Sequence, residues 1–308
     1  MSLRTLPLKF GLGRVSRSTC LHSRSIASLS AASLPDIPEP IDLPFELAEP
    51  KNRTSDDTLV IAHGLFGSKQ NWRSLTRAFA QELGMPVYAI DLRNHGTAPH
   101  AHPHTYMAMA SDVYNFFEQQ SFRDKNVHLM GHSMGGKVVM TTALHPRLNR
   151  HLKSLISVDM APAIGKISPE FSKYVNGMIQ IESEDTKSKS EADKILSEYE
   201  EALPVRQFLL TNSILKDNKV TFRVPLELIK EAIPAIGDFP FQPGEITWNG
   251  PTMLVKGTRS KYINRHNIPV AEQFFPNMVL KELDTAHWVH AEKPREFLRL
   301  ISTFVNSV

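Results

Sequence analysis

Ser133 and His287, with an acid lying between them in the chain, are the side chains whose types and order suit transfer of an acyl group. An alcohol is a poor nucleophile at neutral pH, so a serine of this kind needs a base beside it. Gly131, His132, Ser133, Met134 and Gly135 spell G-x-S-x-G directly after the apolar run NVHLM and before the helical pattern GKVVMTTAL. A nucleophile elbow requires that strand, turn and helix order, with glycines flanking the serine where side chains would collide. The following helix directs its first amides toward negative charge developing nearby.

The expected chain order is serine, acid, histidine. His287 follows MVLKEL in the loop DTAHWVH, just ahead of the last helical pattern, where it can reach across the carboxyl end of a sheet. His290, three residues on, enters the helix and is read as a structural group or one that supports the site from behind. In many enzymes of this architecture the acid follows the strand placed here at Pro251 to Val255. From Thr252 to Ala271, however, there is neither Asp nor Glu. Asp159, which ends the run SLISVD, is the leading candidate, able to fix the imidazole tautomer and stabilise its protonated form. A plain strand-capping role for Asp159 stands beside that reading, and Glu227, Asp238 and Asp284 are weaker substitutes.

A tetrahedral intermediate also needs donors for its oxyanion, and backbone amides serve because they are fixed before reaction. The HGLFG segment after TLVIA offers the Leu65 N–H, which with the Met134 N–H forms the expected hole. Phe66 is the next choice there, and His63, His132 and Trp288 are further supporting candidates. His95, His100, His102 and His104 lack acidic or cysteine partners at metal-ligand spacing, so they read as a surface loop; no metal and no cofactor are expected.

These residues need a scaffold. Short β-branched runs alternate with longer helical patterns, the mark of a parallel sheet with crossover helices on both faces, an α/β fold. Strands are predicted at Thr58 to Ala62, Pro86 to Ile90, Asn126 to Met130, Ser154 to Val158, Pro251 to Val255 and Met278 to Leu283. Helices are predicted at Asn71 to Leu83, Tyr106 to Gln120, Met134 to Leu144, Ile268 to Phe275 and Pro294 to Val305. The organisation expected is a linker and N-terminal edge over 36–57, core over 58–160, a helical cap over 161–248 and core again over 249–308. Within the cap, the acidic piece from Ile181 to Glu201 reads as a solvated helix face.

The chain has 308 residues, 41% hydrophobic and 22% charged, which excludes overall disorder and allows one large or two modest domains. No apolar run approaches the roughly 18 residues of a membrane span. Residues 1–35 carry Arg4, Lys9, Arg14, Arg17 and Arg24 without an acid, the pattern of a mitochondrial presequence. Removing those five cations from 35 Lys plus Arg leaves 30 against 32 Asp plus Glu, so nothing favours nucleic acid. The single cysteine, Cys20, lies in that segment, so no cysteine nucleophile is expected.

HGLFGSKQNW, DLRNHG, GHSMGGK, SVDMAP, VRQFLLTN and AHWVHAEKP, in that order, resemble the α/β-hydrolase superfamily. Within it they are similar to the branch that includes α/β-hydrolase domain-containing protein 11, bacterial esterases and yeast ethanol acetyltransferases. The likeness runs from about Thr58 to Val305. It implies an α/β-hydrolase fold and an acid after the strand that follows the nucleophile, in agreement with Asp159. It also implies that Ser260, in the acid's more usual place, assists by hydrogen bonding. Ala98 stands where serine is expected and Ala286 where glycine is frequent, which bears on substrate preference.

The leading expectation is a mitochondrial serine hydrolase, in the matrix or associated with the inner membrane, acting on small acyl esters or thioesters. The resemblance also implies alcohol O-acetyltransfer from acetyl-CoA to ethanol as an alternative. A third reading is binding or protection of a partner protein in the mitochondrial matrix.

Overall fold

The Thr58–Ala62 run TLVIA is apolar after its first residue, and every residue of it is buried. Successive side chains of a strand point to opposite faces. Leu59 and Ile61 accordingly enter one apolar cluster with Trp72, Phe79 and Phe297, while Val60 and Ala62 enter another with Val113, Phe116 and Val138. A sheet covered on both faces needs strands that are apolar throughout, which is why these runs do not alternate with polar residues.

The computed structural model describes residues 34–165 and 168–308. Residues 1–33 of the expected presequence lie outside the described residues. The elements are β1 (Phe45–Ala48), β2 (Thr58–Ala62), α1 (Lys69–Leu83), β3 (Val87–Ile90), α2 (Tyr106–Gln119), β4 (Val127–His132), α3 (Met134–Leu144) and β5 (Leu152–Val158). They continue with α4 (Pro169–Ser183), α5 (Lys189–Leu196), α6 (Leu203–Leu210), β6 (Ser213–Lys216), β7 (Lys219–Phe222) and α7 (Leu226–Gly237). β8 (Thr252–Gly257), α8 (Ile268–Phe274), β9 (Met278–Leu283), α9 (Val289–Glu292) and α10 (Pro294–Val305) complete the chain. The main sheet has seven strands in the order β1-β3-β2-β4-β5-β8-β9, parallel except for β1.

Three short strands depart from the sequence expectation. β1 lies in the stretch read as a linker; at four residues, with two exposed, it has too short an apolar pattern to stand out, and its pairing with β3 defines it. The inserted region between β5 and β8 carries four helices, as its periodicity suggested, and also the hairpin β6–β7. Its turn residues Asp217 and Asn218 have φ of 50° and 60°, the left-handed values that a tight hairpin turn requires. In the acidic piece, Ala192 and Leu196 are buried, and Glu182 and Glu200 accept hydrogen bonds from Phe222 N–H and the Tyr174 hydroxyl. Part of that piece therefore ties the inserted helices together.

Candidate active site

β4, β5, β8 and β9 lie side by side and parallel, so their carboxyl ends open on one edge of the sheet. Ser133 is the residue after β4, and its N–H continues the ladder to Val158 O at 3.0 Å. Asp159 is the residue after β5, and its N–H bonds Val255 O at 2.7 Å. Both then turn sharply, Ser133 at φ 54° and Asp159 at φ 51°. Such values are uncommon away from glycine and cluster where function fixes the backbone. At the elbow, a Cβ on Gly131 would lie 2.1 Å from Gly135 O, and one on Gly135 would lie 2.5 Å from His63 O. Both glycines are needed for strand, helix and the 63–67 loop to approach this closely.

The loop after β9 brings His287 between the two. Its Nε2 accepts from the Ser133 hydroxyl at 2.9 Å, and its Nδ1–H donates to Asp159 Oδ2 at 2.7 Å. Asp159 is fully buried, and a buried carboxylate must be paired to persist as an anion. It accepts three hydrogen bonds: from Gly257 N–H at 3.0 Å on Oδ1, and from the Ser260 hydroxyl and His287 Nδ1–H on Oδ2. The structure thus brings Ser260 onto the acid. Asp284 pairs instead with Arg259 and Thr258, and neither Glu227 nor Asp238 bonds to His287.

His287 is held from both sides. The Tyr262 ring lies 4.2 Å away and the His132 ring 4.8 Å away, centroid to centroid. His132 Nε2–H donates to the His287 carbonyl at 2.9 Å, and burial keeps the His132 imidazole well below its ordinary pKa, hence neutral. Burial pushes the Tyr262 phenol up to about 12. Tyr262 was not foreseen: nothing in RSKYINRH marks it beyond lying two residues after Ser260. His290 is buried in α9 and stacks on Trp72 at 4.2 Å, with burial lowering its pKa to about 3, which fits a structural role.

The amide hydrogens of Leu65 and Met134 have no acceptor among the described residues. Both residues border the cavities at Ser133, and the Met134 amide opens α3, whose dipole favours an anion there. His63 braces the loop: its Nε2 accepts from Leu92 N–H at 3.0 Å and its Nδ1–H donates to Gly64 O at 2.8 Å. Burial lowers its pKa. Phe66 sits at φ 61°, and its carbonyl accepts from Asn212 Nδ2 at 2.6 Å, which joins this loop to the inserted region. Trp288 packs against Phe208 of α6 at 5.5 Å, forming a wall rather than touching the reacting atoms.

The histidines of the 95–104 segment require a correction. His100 and His102 are exposed, but His95 and His104 are buried, 1% and 4% accessible. His95 packs 5.1 Å from the His63 ring, and His104 5.7 Å from His95. Polar composition hid this, because a neutral imidazole with one bonded nitrogen packs like a small aromatic ring. His95 Nδ1–H bonds Arg93 O, and His104 Nδ1 accepts from Asn94.

Two cavities, of about 260 and 460 Å³, meet at Ser133. Walls from α4, α6 and α7 cover them on the side away from the sheet.

Residues 57–294 match the family described as alpha/beta hydrolase fold. The chain is 37% identical over 274 residues to a Xenopus laevis protein named sn-1-specific diacylglycerol lipase, a match spanning 87% of this chain and 85% of the relative. It is 33% identical over 313 residues to a Saccharomyces cerevisiae protein named probable alcohol acetyltransferase, spanning 94% and 91%. Among solved structures, a marine microorganism esterase superposes with a TM-score of 0.74 at 33% identity, covering 86% of this chain and 99% of that one.

Proposed function

The chain belongs to the α/β-hydrolase family, and we propose that it cleaves carboxylic esters or thioesters in mitochondria through an acyl intermediate on Ser133. The observation that carries this reading is the continuous relay from Ser133 through His287 to buried Asp159, at 2.9 and 2.7 Å, beside the Leu65 and Met134 amides, which have no acceptor among the described residues.

His287 Nε2 takes the hydroxyl proton as Ser133 Oγ bonds to the acyl carbon, and the carbonyl electron pair moves onto oxygen between the Leu65 and Met134 amides. Asp159 holds Nδ1–H and stabilises the imidazolium. Collapse breaks the bond to the leaving oxygen or sulfur, which takes the proton from Nε2. Water then repeats the sequence on the acyl-serine and releases the acid. Amides fixed in advance supply roughly 3 kcal/mol each to such a transition state.

An ester is the favoured substrate because the similar proteins include one named as a lipase and one as an esterase. The lipase's name makes diacylglycerol a substrate to try. The yeast relative's name supports a second reading, in which ethanol replaces water on an acetyl-serine formed from acetyl-CoA. Purified protein given both would yield ethyl acetate in that case and free acetate under hydrolysis. The decisive experiment for the site is fluorophosphonate labelling: wild type is modified on Ser133, and Ser133→Ala loses labelling and ester turnover together. Labelling that survives in Ser133→Ala would refute the assignment. Full rescue of null cells by Ser133→Ala would instead favour partner binding in the matrix.

The mitochondrial location rests on the five cations and no acids of residues 1–35. A fluorescent protein carrying residues 1–35 should enter mitochondria, and diffuse fluorescence would remove that part of the proposal.

A further inference from the structure

The VRQFLLTN motif ends in Asn212, a side chain only 3% accessible that no step of the acyl transfer uses. Local structure accounts for one of its two amide hydrogens. The hydroxyls of Thr211 and Ser213 each donate to the carbonyl three residues back, Phe208 O at 2.6 Å and Leu210 O at 2.7 Å. Asn212 Nδ2 makes the same kind of bond to Leu209 O at 3.3 Å. Its shorter bond, at 2.6 Å, leaves the inserted region and ends on Phe66 O.

That carbonyl belongs to the loop that offers the Leu65 amide to the oxyanion. At the start of the turn Gly64 O is held twice, by Gly67 N–H at 2.9 Å and by His63 Nδ1–H at 2.8 Å. At its far side Phe66 O has Asn212 as its one donor among the described residues. Phe66 stands at φ 61°, an unfavourable value for a bulky side chain, and such residues persist where their surroundings over-determine them. Turning φ back to a negative value rotates the Leu65–Phe66 peptide about the Phe66 N–Cα bond. That rotation displaces Leu65, whose N–H must already point at the place where the oxyanion forms.

We propose, building on the ester reading above, that Asn212 is a positioning residue for the oxyanion: its amide fixes the left-handed turn at Phe66 and thereby aims the Leu65 N–H. Asn212 borders neither cavity at Ser133, so its effect passes through the loop. It directly follows α6 and Thr211, and α6 itself puts Val205, Phe208 and Leu209 on the cavity wall. The element that covers the nucleophile therefore also sets one of its anion donors.

Asn212→Ser separates this role from a local one. A serine there can bond Leu209 O in the manner of Thr211 and Ser213, but it is too short to reach Phe66. Hydrolysis of p-nitrophenyl butyrate and inhibition by a trifluoromethyl ketone are measured on both proteins. With the ketone, Ser133 Oγ bonds to the carbonyl carbon, the hydroxyl proton passes to His287 and the carbonyl electron pair becomes an oxyanion, so its affinity reports on the transition state. Loss of a whole donor costs about 10²- to 10³-fold in kcat, and a displaced one is expected to cost about 10- to 100-fold. KM should stay within about twofold, and the inhibition constant of the ketone should rise by the factor that kcat/KM falls. Asn212→Gln, which keeps an amide N–H on a longer stem, should recover part of both.

Wild-type kcat and ketone affinity in Asn212→Ser would mean that the residue serves only the end of α6. A raised KM with unchanged kcat would place its role in the cavity wall, and either result overturns the proposal. If circular dichroism shows Asn212→Ser unfolded, Asn212→Thr, which fills more of the space, is read in the same way. Fluorophosphonate labelling separates the two levels. Wild type that is neither labelled on Ser133 nor active sinks the ester reading and this inference with it, whereas labelled, active wild type with an unaffected Asn212→Ser sinks this inference alone.

Discussion

His132 Nε2–H donates to the carbonyl of His287 at 2.9 Å, so the residue beside the nucleophile directly holds the loop that carries the base. The same ring approaches Gly64 closely enough that a Cβ there would lie 3.1 Å from Nδ1. Elbow, base loop and oxyanion loop therefore meet at one neutral imidazole.

His132→Phe keeps an aromatic ring but deletes that donor. A displacement of about 1 Å at a reacting group can cost on the order of 100-fold. The expected result is a kcat 10- to 100-fold lower with KM little changed, and partial recovery in His132→Gln, which retains an N–H. Equal effects of both substitutions on KM would show that His132 serves the pocket wall instead.

Asp159→Asn replaces a buried carboxylate that accepts from Gly257 N–H, Ser260 and His287. An amide in that place favours the wrong imidazole tautomer, and kcat should fall by about 10⁴ in a folded protein. Ser260→Ala removes one charge-assisted hydrogen bond from the acid and should cost about tenfold. Steady-state rates with matched circular dichroism spectra check both, and near-normal turnover in Asp159→Asn would transfer the role of acid elsewhere.

The G-x-S-x-G turn, the strand end at Asp159 and the loop at His287 were legible because each combines a reactive residue with a local pattern of strand, glycine and helix. The hairpin within the covering helices was not. β6 and β7 are four residues each, joined by Asp217 and Asn218, and a pair this short is defined by its register more than by its composition. His95 and His104 misled for a different reason: burial of a histidine depends on whether neighbours bond one nitrogen, which sequence does not reveal. Tyr262 matters through its 4.2 Å contact across the fold with His287, a relation that no spacing encodes.

Acid should destabilise the fold steeply. Burial lowers the pKa of His104 and His128 to about 4 and of His290 to about 3, and also lowers those of His63, His95, His132 and His145. As pH falls below 6.5 the unfolded chain binds protons that the native state refuses, so stability declines from about pH 6.5 toward 4. Each such group contributes a slope of up to about 1.4 kcal/mol per pH unit. Urea unfolding at pH 7.5, 6 and 5 should show falling midpoints with unchanged slope in urea; midpoints independent of pH would mean that these rings are protonated in the native state.

Lys137 extends the same dependence, stability rising with pH, into the alkaline range. Burial lowers its pKa to about 8, while its Nζ is held by the α7 carbonyls. Between about pH 8 and its unfolded value near 10.5, the native state sheds a proton that the unfolded chain keeps. Its contribution to stability therefore rises with pH, by up to roughly 3 kcal/mol across that window. Lys137→Met should remove that rise when wild type and variant are compared at pH 8 and pH 10. A rise of the same size in both would assign it to another group.

Gly135→Ala tests whether the oxyanion donors depend on the close approach of α3 to the end of β2. A methyl at this position meets His63 O at 2.5 Å and Ala62 O at 2.6 Å, both backbone atoms that cannot swing aside. Relief requires α3 and the 63–67 loop to separate, which moves the Met134 amide away from that of Leu65. Ser133 and His287 need not part, because the elbow remains fixed to β5 through Ser133 N–H and to the base loop through His132. Loss of one well-placed donor costs about 10²- to 10³-fold in kcat. The variant should therefore turn over esters that much more slowly while retaining most of the affinity for a substrate-like alcohol. An unfolded variant would be recognised by its spectrum, and in that event Gly64→Ala, whose nearest contact of 3.1 Å leaves room for a smaller shift, should show the same defect in milder form. Normal kcat in a folded Gly135→Ala protein would mean that the anion is stabilised by groups other than these two amides.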